Sequence, residues 1–511
     1  MVISYCGAFY FSLYLLVALL TSSSDAIDFT CPSKNITGGG GVFPPDQLTL
    51  AQFPSNYRCS IGFEIQDGFL VQLNIESNVT DLTQDSLIVV DALSKLRIYS
   101  EGVSYFVAPA KTASVVLQSQ SGTAQFWFRY NYVYARYNEQ VKYATGVPFS
   151  LYFVLNKYYT VSSPNNESIV INTALIGGND DIQTVNIYVY DGPDILSKYV
   201  GTLYEFVNMG AIGKSTGNSL TFLNMYGNVV NSYGLANEYS AISRFNSYNF
   251  NIFSDKSPIV GSFTNLVGNV NAFTFFCPYC DNKAYVTKLT FVGDTSGETE
   301  VQFNPLTPSN PLNTSLTYKS SDSLNQYWPQ LIPGNLFTLT TTALQFLIRI
   351  DADKDAQADW LKPFSGRKGV IFSQSLWSVG SSPAFDYKFE SPDDPMTFNF
   401  NLQSVIITQP NEQINVEIGS PGANPFNTVF NKTVSNPGVR VANGTFMEAT
   451  FNATSSQSSA IVTFEMMNAN GIPPTSTTTE TAVETTTKLT RGVLDGLVVI
   501  CCTAVVLRFS N

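Results

Sequence analysis

The chain has 511 residues, 44% hydrophobic and 13% aromatic, with Lys+Arg 27 against Asp+Glu 39 and a formal charge of -12. That length exceeds one core and predicts roughly three or four domains, while the acidic balance argues against a phosphate-binding, nucleic-acid surface. Histidine is absent, which removes Ser-His-Asp and Cys-His nucleophiles, His-ligated zinc and the usual physiological-pH switch and leaves carboxylate-only chemistry.

Residues 1–26 read as a secretory signal peptide. An apolar run from Ala8 to Leu20 precedes TSSSD, and small residues at Ser24 and Ala26 suit cleavage after Ala26. The leader carries no Lys or Arg. The 37 Phe and 27 Tyr, with abundant Thr, Val and Asn, favour strands throughout the body.

Cys31 opens a stretch that passes through the sequon at Asn35, Gly38 to Gly41 and Pro44-Pro45, and reaches Cys59. Ile61, Phe63 and Ile65 then alternate with small or polar residues, and Phe69, Val71, Leu73 and Ile75 alternate again after Asp67-Gly68. Period two on both sides of a turn dipeptide predicts a hairpin.

The run CPSKNITGGGGVFPP, the following YRCSIGFEIQDGFLVQLNI and the later VNIYVYDG at Val185 to Gly192 resemble the nematode CUB-like domain family, relatives of the CUB β-sandwich. The resemblance covers about residues 28–134, with a looser copy over about 135–253. It implies an all-β chain of tandem antiparallel β-sandwich (CUB-like) domains, secreted and associated with innate immune or pathogen responses at exposed epithelia. Seven cysteines are present, of which Cys6 lies in the leader and Cys501 and Cys502 in the tail. The remaining four, Cys31, Cys59, Cys277 and Cys280, allow three pairings, and the resemblance with chain order favours Cys31 with Cys59 and Cys277 with Cys280. The pattern D-x-L-x-V-x-D at Asp85 and Asp91 echoes the calcium-bearing strand of calcium-binding CUB domains. The second copy has Val185 in place of the first acid, and turn-capping aspartates explain the pattern without a metal.

The domains expected in order are 27–134, 135–253, 254–352 and 353–470. At the end of the first, Phe126, Phe128, Tyr130, Tyr132 and Tyr134 alternate, placing five rings on one face of a strand opposite Trp127, Arg129 and Asn131. Such rings stack on sugars or fill a core, and cores are where aromatics bury most area. The second carries strands at VPFSLYFVL, ESIVINTAL, TVNIYVYDG, YVGTLYEF and SLTFLNMYG. In the third, Cys277-Pro-Tyr-Cys280 matches a glutaredoxin-type redox motif, but DNKAYVTKLTFVG predicts a following strand rather than a helix, so a structural CxxC is expected.

Asp351, Asp353, Asp355 and Asp359 imitate an EF-hand spacing, yet Ala356 stands where glycine should and Lys362 where the bidentate Glu should. An acidic linker or short capped helix is the expectation there. Sequons at Asn35, Asn78, Asn166, Asn313, Asn431, Asn443 and Asn452 offer glycosylation sites to a secreted chain.

Residues 471–491 are a Thr-rich segment unable to build a core, expected as a disordered, O-glycosylated stalk. Residues 492–511 end in the apolar run Gly496 to Leu507, about a dozen residues where a spanning helix needs roughly 20, and so are expected as a GPI-type signal. Attachment is expected near Thr481 or Ala482, with Ser476 and Asn470 as alternatives. The expected protein sits on the extracellular face of the plasma membrane through a lipid anchor, without catalytic residues, metal or cofactor, and binds an extracellular protein or glycan. A structural matrix or glycocalyx component and a carboxylate-based glycosidase are the competing readings.

Overall fold

A computed structural model of the chain describes residues 27, 29–175, 184–208, 213–227, 232–266, 268–294, 297–391 and 394–469. The expected signal peptide, stalk and C-terminal tail, with Cys6, Ala482, Cys501 and Cys502, lie outside the described residues. The fold is all-β, and antiparallel pairing dominates its sheets.

The first sandwich comprises β1 (Gly40–Phe43), β2 (Ala51–Gln52), β3 (Tyr57–Asn78), β4 (Asp85–Val90), β5 (Leu96–Tyr99), β6 (Glu101–Ser119) and β7 (Gln125–Tyr134). Its order is β1-β7-β3-β6-β4-β5, with β2 also on β7. The hairpin expected at Asp67-Gly68 does not form. Instead β3 runs as one strand of 22 residues whose two halves both pair with β6, Tyr57–Ile65 against Lys111–Ser119 and Leu70–Asn78 against Glu101–Pro109.

The register shifts between Ile65 and Leu70, and Gly68 takes φ +84°, so the dipeptide bends the strand without reversing it. A hairpin would need the two alternating runs to pair with each other. Here the long β6 takes both halves, and β7 takes the other edge of Phe69–Asn78. One layer is therefore the first half of β3 with the second half of β6, β4 and β5. The other is the second half of β3 with the first half of β6, β7 and β1.

Between the layers lie Ile61, Phe63, Leu73, Ile75, Leu87, Val115, Phe126 and Phe128. Full burial of each such side chain contributes about 1.5–3 kcal/mol. A disulfide joins Cys31 to Cys59, with Cα atoms 5.4 Å apart, and ties the N-terminal segment to the start of β3.

The second sandwich faces a sheet ordered Lys198–Thr202, Ile187–Asp191, Ser219–Asn224, Lys157–Ser162 and Glu139–Ala144 against one of Ile169–Leu175, Ser232–Glu238 and Pro148–Ser150. Leu151, Val161, Ile171, Ile187, Val189, Leu220 and Phe222 fill the space between them. The expected strand YVGTLYEF divides: after Thr202 the chain turns into the helix Leu203–Asn208. Thr202 and Glu205 form a reciprocal cap, the Glu205 N–H donating to the Thr202 hydroxyl at 3.3 Å and the Thr202 N–H to the Glu205 carboxylate at 3.0 Å.

The third sandwich places Ser247–Ile252, Asn271–Phe276, Leu336–Thr341, Glu300–Pro305 and Leu316–Lys319 in one sheet, and Ile259–Thr264, Gln345–Asp351, Ala284–Phe291 and Gln330–Ile332 in the other. In the fourth, Arg367–Phe372, Ser459–Asn468 and Met396–Ile406 carry one sheet, with Phe385–Glu390, Phe446–Asn452, Gln413–Gly419 and Phe426–Phe430 opposite. Phe337, Ile348 and Phe303 centre the third core, and Phe398, Val416 and Phe451 the fourth. Among the described residues, no helix is long and apolar enough to cross a membrane.

Candidate recognition surface

Strand alternation on β7 sends Phe126 and Phe128 into the core and leaves Trp127, Arg129 and Asn131 on the outside. The neighbouring strands extend that outer row in register. Glu76 is paired with Trp127, Asn74 with Arg129 and Gln72 with Asn131, while Tyr105 of β6 lies beside Asn74. Asn74, Arg129 and Asn131 are exposed, Trp127, Gln72 and Glu76 half-buried, and Tyr105 is 36% exposed.

The Trp127 indole is held by donating to the Gln47 carbonyl at 2.8 Å, and the Arg129 guanidinium lies 5.8 Å from its ring centre. Burial, with the charge of a neighbouring Tyr226, pushes the Tyr105 hydroxyl up to about 12, so it is a neutral donor and acceptor at physiological pH. Two rings, three amides, one cation and one carboxylate on a broad sheet face offer stacking and hydrogen bonds together.

The inner aromatic row grades outward along β7. Tyr130 packs edge-on against Phe63 at 5.4 Å, the Tyr132 hydroxyl donates to the Ile36 carbonyl at 2.6 Å, and Tyr134 meets Phe69 at 4.6 Å. Those rings build the core and its rim, so the exposed face of this sheet is the row opposite them.

The second sandwich closes the edge of this sheet. β4 pairs only with residues 114–119 of β6, so Val107 has no strand partner on that side. Its N–H donates to the Tyr226 hydroxyl at 3.0 Å and its carbonyl accepts from the Tyr188 hydroxyl. Leu70, Ala135, Tyr190, Ile195 and Leu223 pack around this contact. Tyr226 also meets Tyr105 edge-on at 5.4 Å, which sets the second sandwich beside the polar face.

The sequence-marked acids are spread apart. Asp85, 1% exposed, accepts from the Gln120 and Ser121 N–H groups at 2.8 and 3.1 Å and from the Ser121 hydroxyl. Asp91 caps its turn by accepting from Leu93 and Lys95 N–H groups at 2.8 and 2.9 Å. The length of β4, roughly 20 Å of extended chain, separates the two. Asp351 engages the Arg349 guanidinium and the Thr287 hydroxyl, Asp353 caps the helix Lys354–Trp360 by accepting from Ala356, and Asp359 pairs with Lys362 at 2.6 Å. Asp355 sits in that helix's first turn. Among the described residues, no group of three or more His, Cys, Asp or Glu is arranged to hold a metal ion.

Asp386, Glu448 and Glu417 share the outer face of one sheet of the fourth sandwich, with Lys388 in register with Glu448. Burial, then the charges of Asp386 and Glu417, raise the Glu448 carboxyl above its ordinary range.

Cys277 and Cys280 are disulfide-bonded in the turn between Asn271–Phe276 and Ala284–Phe291, with no helix after them. Cys277 is buried, while Tyr279 is 70% exposed and its hydroxyl accepts from Tyr233 at 3.3 Å. Of the sequon asparagines, Asn35, Asn166, Asn313, Asn431, Asn443 and Asn452 are exposed, and Asn78 is half-buried with its amide donating to Gln125 at 3.2 Å.

Two organising groups carried no sequence signal. Glu412, buried in the fourth sandwich, accepts from the N–H groups of Thr408, Gln409, Thr454 and Ser455 and from the Ser458 hydroxyl. Burial pulls its carboxyl upward, but the Ser458 hydroxyl and the backbone donors outweigh that and hold it at about 2. Arg367 is fully buried, donates to the carbonyls of Trp360, Lys362 and Pro329, and lies 5.0 Å from the Trp360 ring centre and 5.4 Å from Phe389. Neither residue stands out locally, because each joins near neighbours, Thr408 and Gln409 for Glu412 and Trp360 and Lys362 for Arg367, to a distant segment, residues 454–458 and Pro329 respectively.

The fold and this face define an all-β protein built of tandem sandwiches, the first displaying a broad polar and aromatic sheet surface. Residues 26–136 match the family described as CUB-like domain, so the chain carries a CUB-like domain in that stretch. No curated protein matches the chain. Among solved structures it is similar to the CUB1-EGF-CUB2 domains of rat MASP-1 at 10% identity, covering 62% of this chain and 99% of that one with a TM-score of 0.17. It is also similar to the full extracellular region of zebrafish Gpr126/Adgrg6, at 10% identity over 65% of this chain and 54% of that one, with a TM-score of 0.18. At these TM-scores neither structure carries an inference about this chain.

Proposed function

We propose that the protein is a non-enzymatic extracellular recognition protein that binds a glycan or protein ligand on the outer face of β6, β3 and β7. The observation that carries this reading is the outward row Trp127, Arg129 and Asn131, backed by the buried Phe126 and Phe128 and flanked in register by Glu76, Asn74, Gln72 and Tyr105. The backing strands hold the row rigid, which lowers the ordering cost of binding. The CUB-like match over residues 26–136 supports the reading, and the resemblance in the sequence adds its setting, a pathogen response at an exposed epithelium. The chain is held on the outer leaflet by a lipid attached near Ala482, above the Thr-rich stalk.

The test is a glycan and microbial-surface binding screen on the secreted protein, followed by Trp127→Ala and Arg129→Ala on any ligand found. Each variant is expected to lose about tenfold or more in affinity with an unchanged far-ultraviolet circular dichroism spectrum. Full binding by both variants overturns the assignment of the face. Release of the protein from intact cells by a phosphatidylinositol-specific phospholipase is the expected result for the anchor, and retention contradicts it.

A further inference from the structure

The loop of residues 306–315 touches three of the sandwiches. It leaves the strand Glu300–Pro305 and is fastened to the second sandwich, where the Thr307 hydroxyl donates to the Gly146 carbonyl at 2.9 Å and the Asn310 amide to the Thr145 carbonyl at 3.2 Å. The Ser309 hydroxyl donates to the Asn237 side chain at 3.0 Å and accepts from the Glu238 N–H at 2.8 Å. The loop then runs along the fourth sandwich before entering Leu316–Lys319. There its residues Asn313 to Thr317 form one wall of a cleft of about 410 Å³.

The opposite wall is the outer face of the sheet that carries Arg367–Phe372, Ser459–Asn468 and Met396–Ile406. Phe372 and Ile461 are cross-strand neighbours there, Val370 lies beside them, and Gln403 sits at a register shift of Met396–Ile406. Val370 and Ile461 are half-buried and give the floor an apolar patch, while the exposed lining of the cleft is mostly polar, with the Thr317 and Gln403 side chains at its edges. Asn313, itself exposed, lines the cleft and heads the sequon Asn313-Thr314-Ser315.

We propose that an N-linked glycan on Asn313 occupies this cleft and braces the third sandwich against the fourth. The inference rests on the secretory reading above. In the linkage step the Asn313 Nδ2 bonds to the anomeric carbon of a lipid-pyrophosphate-linked oligosaccharide, the bond from that carbon to the pyrophosphate oxygen breaks, and Nδ2 loses one proton. A proximal sugar presents a CH face and a rim of hydroxyls, which match the apolar patch of Val370 and Ile461 and the polar edges at Thr317 and Gln403. Because the sugar is tethered at the cleft wall, its contacts form at a high effective concentration and need little intrinsic affinity.

The experiment measures site occupancy by glycopeptide mass spectrometry on the full chain secreted from eukaryotic cells, then compares Asn313→Gln, Ser315→Ala, Ser315→Thr and Asn443→Gln. Asn313→Gln and Ser315→Ala each delete this sequon by a different side chain, Ser315→Thr preserves it, and Asn443→Gln removes an exposed one elsewhere. Asn313→Gln and Ser315→Ala are expected to melt about 3 °C or more below Asn443→Gln, with Ser315→Thr at the wild-type value. The Asn313 glycan is also expected to resist native endoglycosidase trimming longer than the Asn443 glycan. An unoccupied Asn313 beside occupied Asn35, Asn166 and Asn443 overturns the brace and leaves the secretory reading standing, as do melting temperatures equal to that of Asn443→Gln. Absence of glycan at every sequon overturns both.

Discussion

The hydroxyls of Tyr188 and Tyr226 lie 2.8 Å apart, and between them they take the N–H and the carbonyl of Val107. Two side chains from the second sandwich thus serve one residue on the open edge of the first, where an unpaired backbone group would otherwise be buried.

Tyr188→Phe and Tyr226→Phe are each expected to cost about 1–3 kcal/mol by leaving a Val107 group without a partner. The double variant should lose less than the sum, because the two hydroxyls also bond each other. Denaturant unfolding of the four proteins measures both quantities. Wild-type stability in both single variants would show that water replaces these hydroxyls.

The same pair predicts an alkaline limit. Burial raises both hydroxyls above their ordinary value of 10.0, so the folded protein keeps them neutral where the unfolded chain ionises them. The unfolded state then binds fewer protons, and stability falls as pH rises above about 10. Tyr188→Phe should flatten that fall, as read from the denaturation midpoint between about pH 9 and 11.

On the acid side Glu412 sets the slope. Its carboxyl is held at about 2, below its unfolded value, so its contribution is fully present above the ordinary carboxylate range and is lost as pH falls toward 2. With no histidine in the chain, stability should change little between about pH 5.5 and 7.5. Glu412→Ala orphans its backbone donors and is expected to cost roughly 2–4 kcal/mol at neutral pH and to flatten the acid limb of the profile. An unchanged acid limb in that variant would assign the slope to other carboxylates.

For Arg367, burial pushes the guanidinium down to about 9, still charged at physiological pH, and its fork reaches the Trp360 and Lys362 carbonyls at the end of the helix Lys354–Trp360. Arg367→Lys should be nearly as damaging as Arg367→Ala, at roughly 2–4 kcal/mol, because an ammonium cannot span both carbonyls and stack on Trp360. A benign lysine variant would mean that charge alone suffices.

Breaking the Cys31–Cys59 bond with the double alanine variant is expected to cost about 3–4 kcal/mol on the chain-entropy scale for a separation of 28 residues. Thermal unfolding with and without reductant measures it. Equal wild-type curves in the two conditions, with both thiols shown to be free in the reduced sample, would remove the bond from the stability of the first sandwich.

The alternation in β3 and β7 made the strands readable, and with them the core positions Ile61, Phe63, Phe126 and Phe128. What Asp67-Gly68 would do was not readable, because a turn dipeptide specifies a local bend while the partner that takes each flank lies about 40 residues away in β6. Thr202 and Glu205 have the capping-box spacing, but they stand inside YVGTLYEF, whose aromatic and β-branched residues favour a strand. The recognition face was half visible: Trp127, Arg129 and Asn131 could be assigned to one side, whereas Glu76, Asn74 and Tyr105 joined them only through register. Tyr188 and Tyr226 carried no signal at all, since their role depends on the unpaired stretch of β6.

Two strands of the first sandwich, β3 and β6, pass continuously from one layer into the other. A thermal opening of one layer must therefore loosen the ladder that also anchors its opposite number, so the sandwich has no half that can fray independently. Amide hydrogens of Ile61 in one layer and Leu73 in the other are on the same strand and should exchange with solvent at closely similar rates, as a single cooperative block.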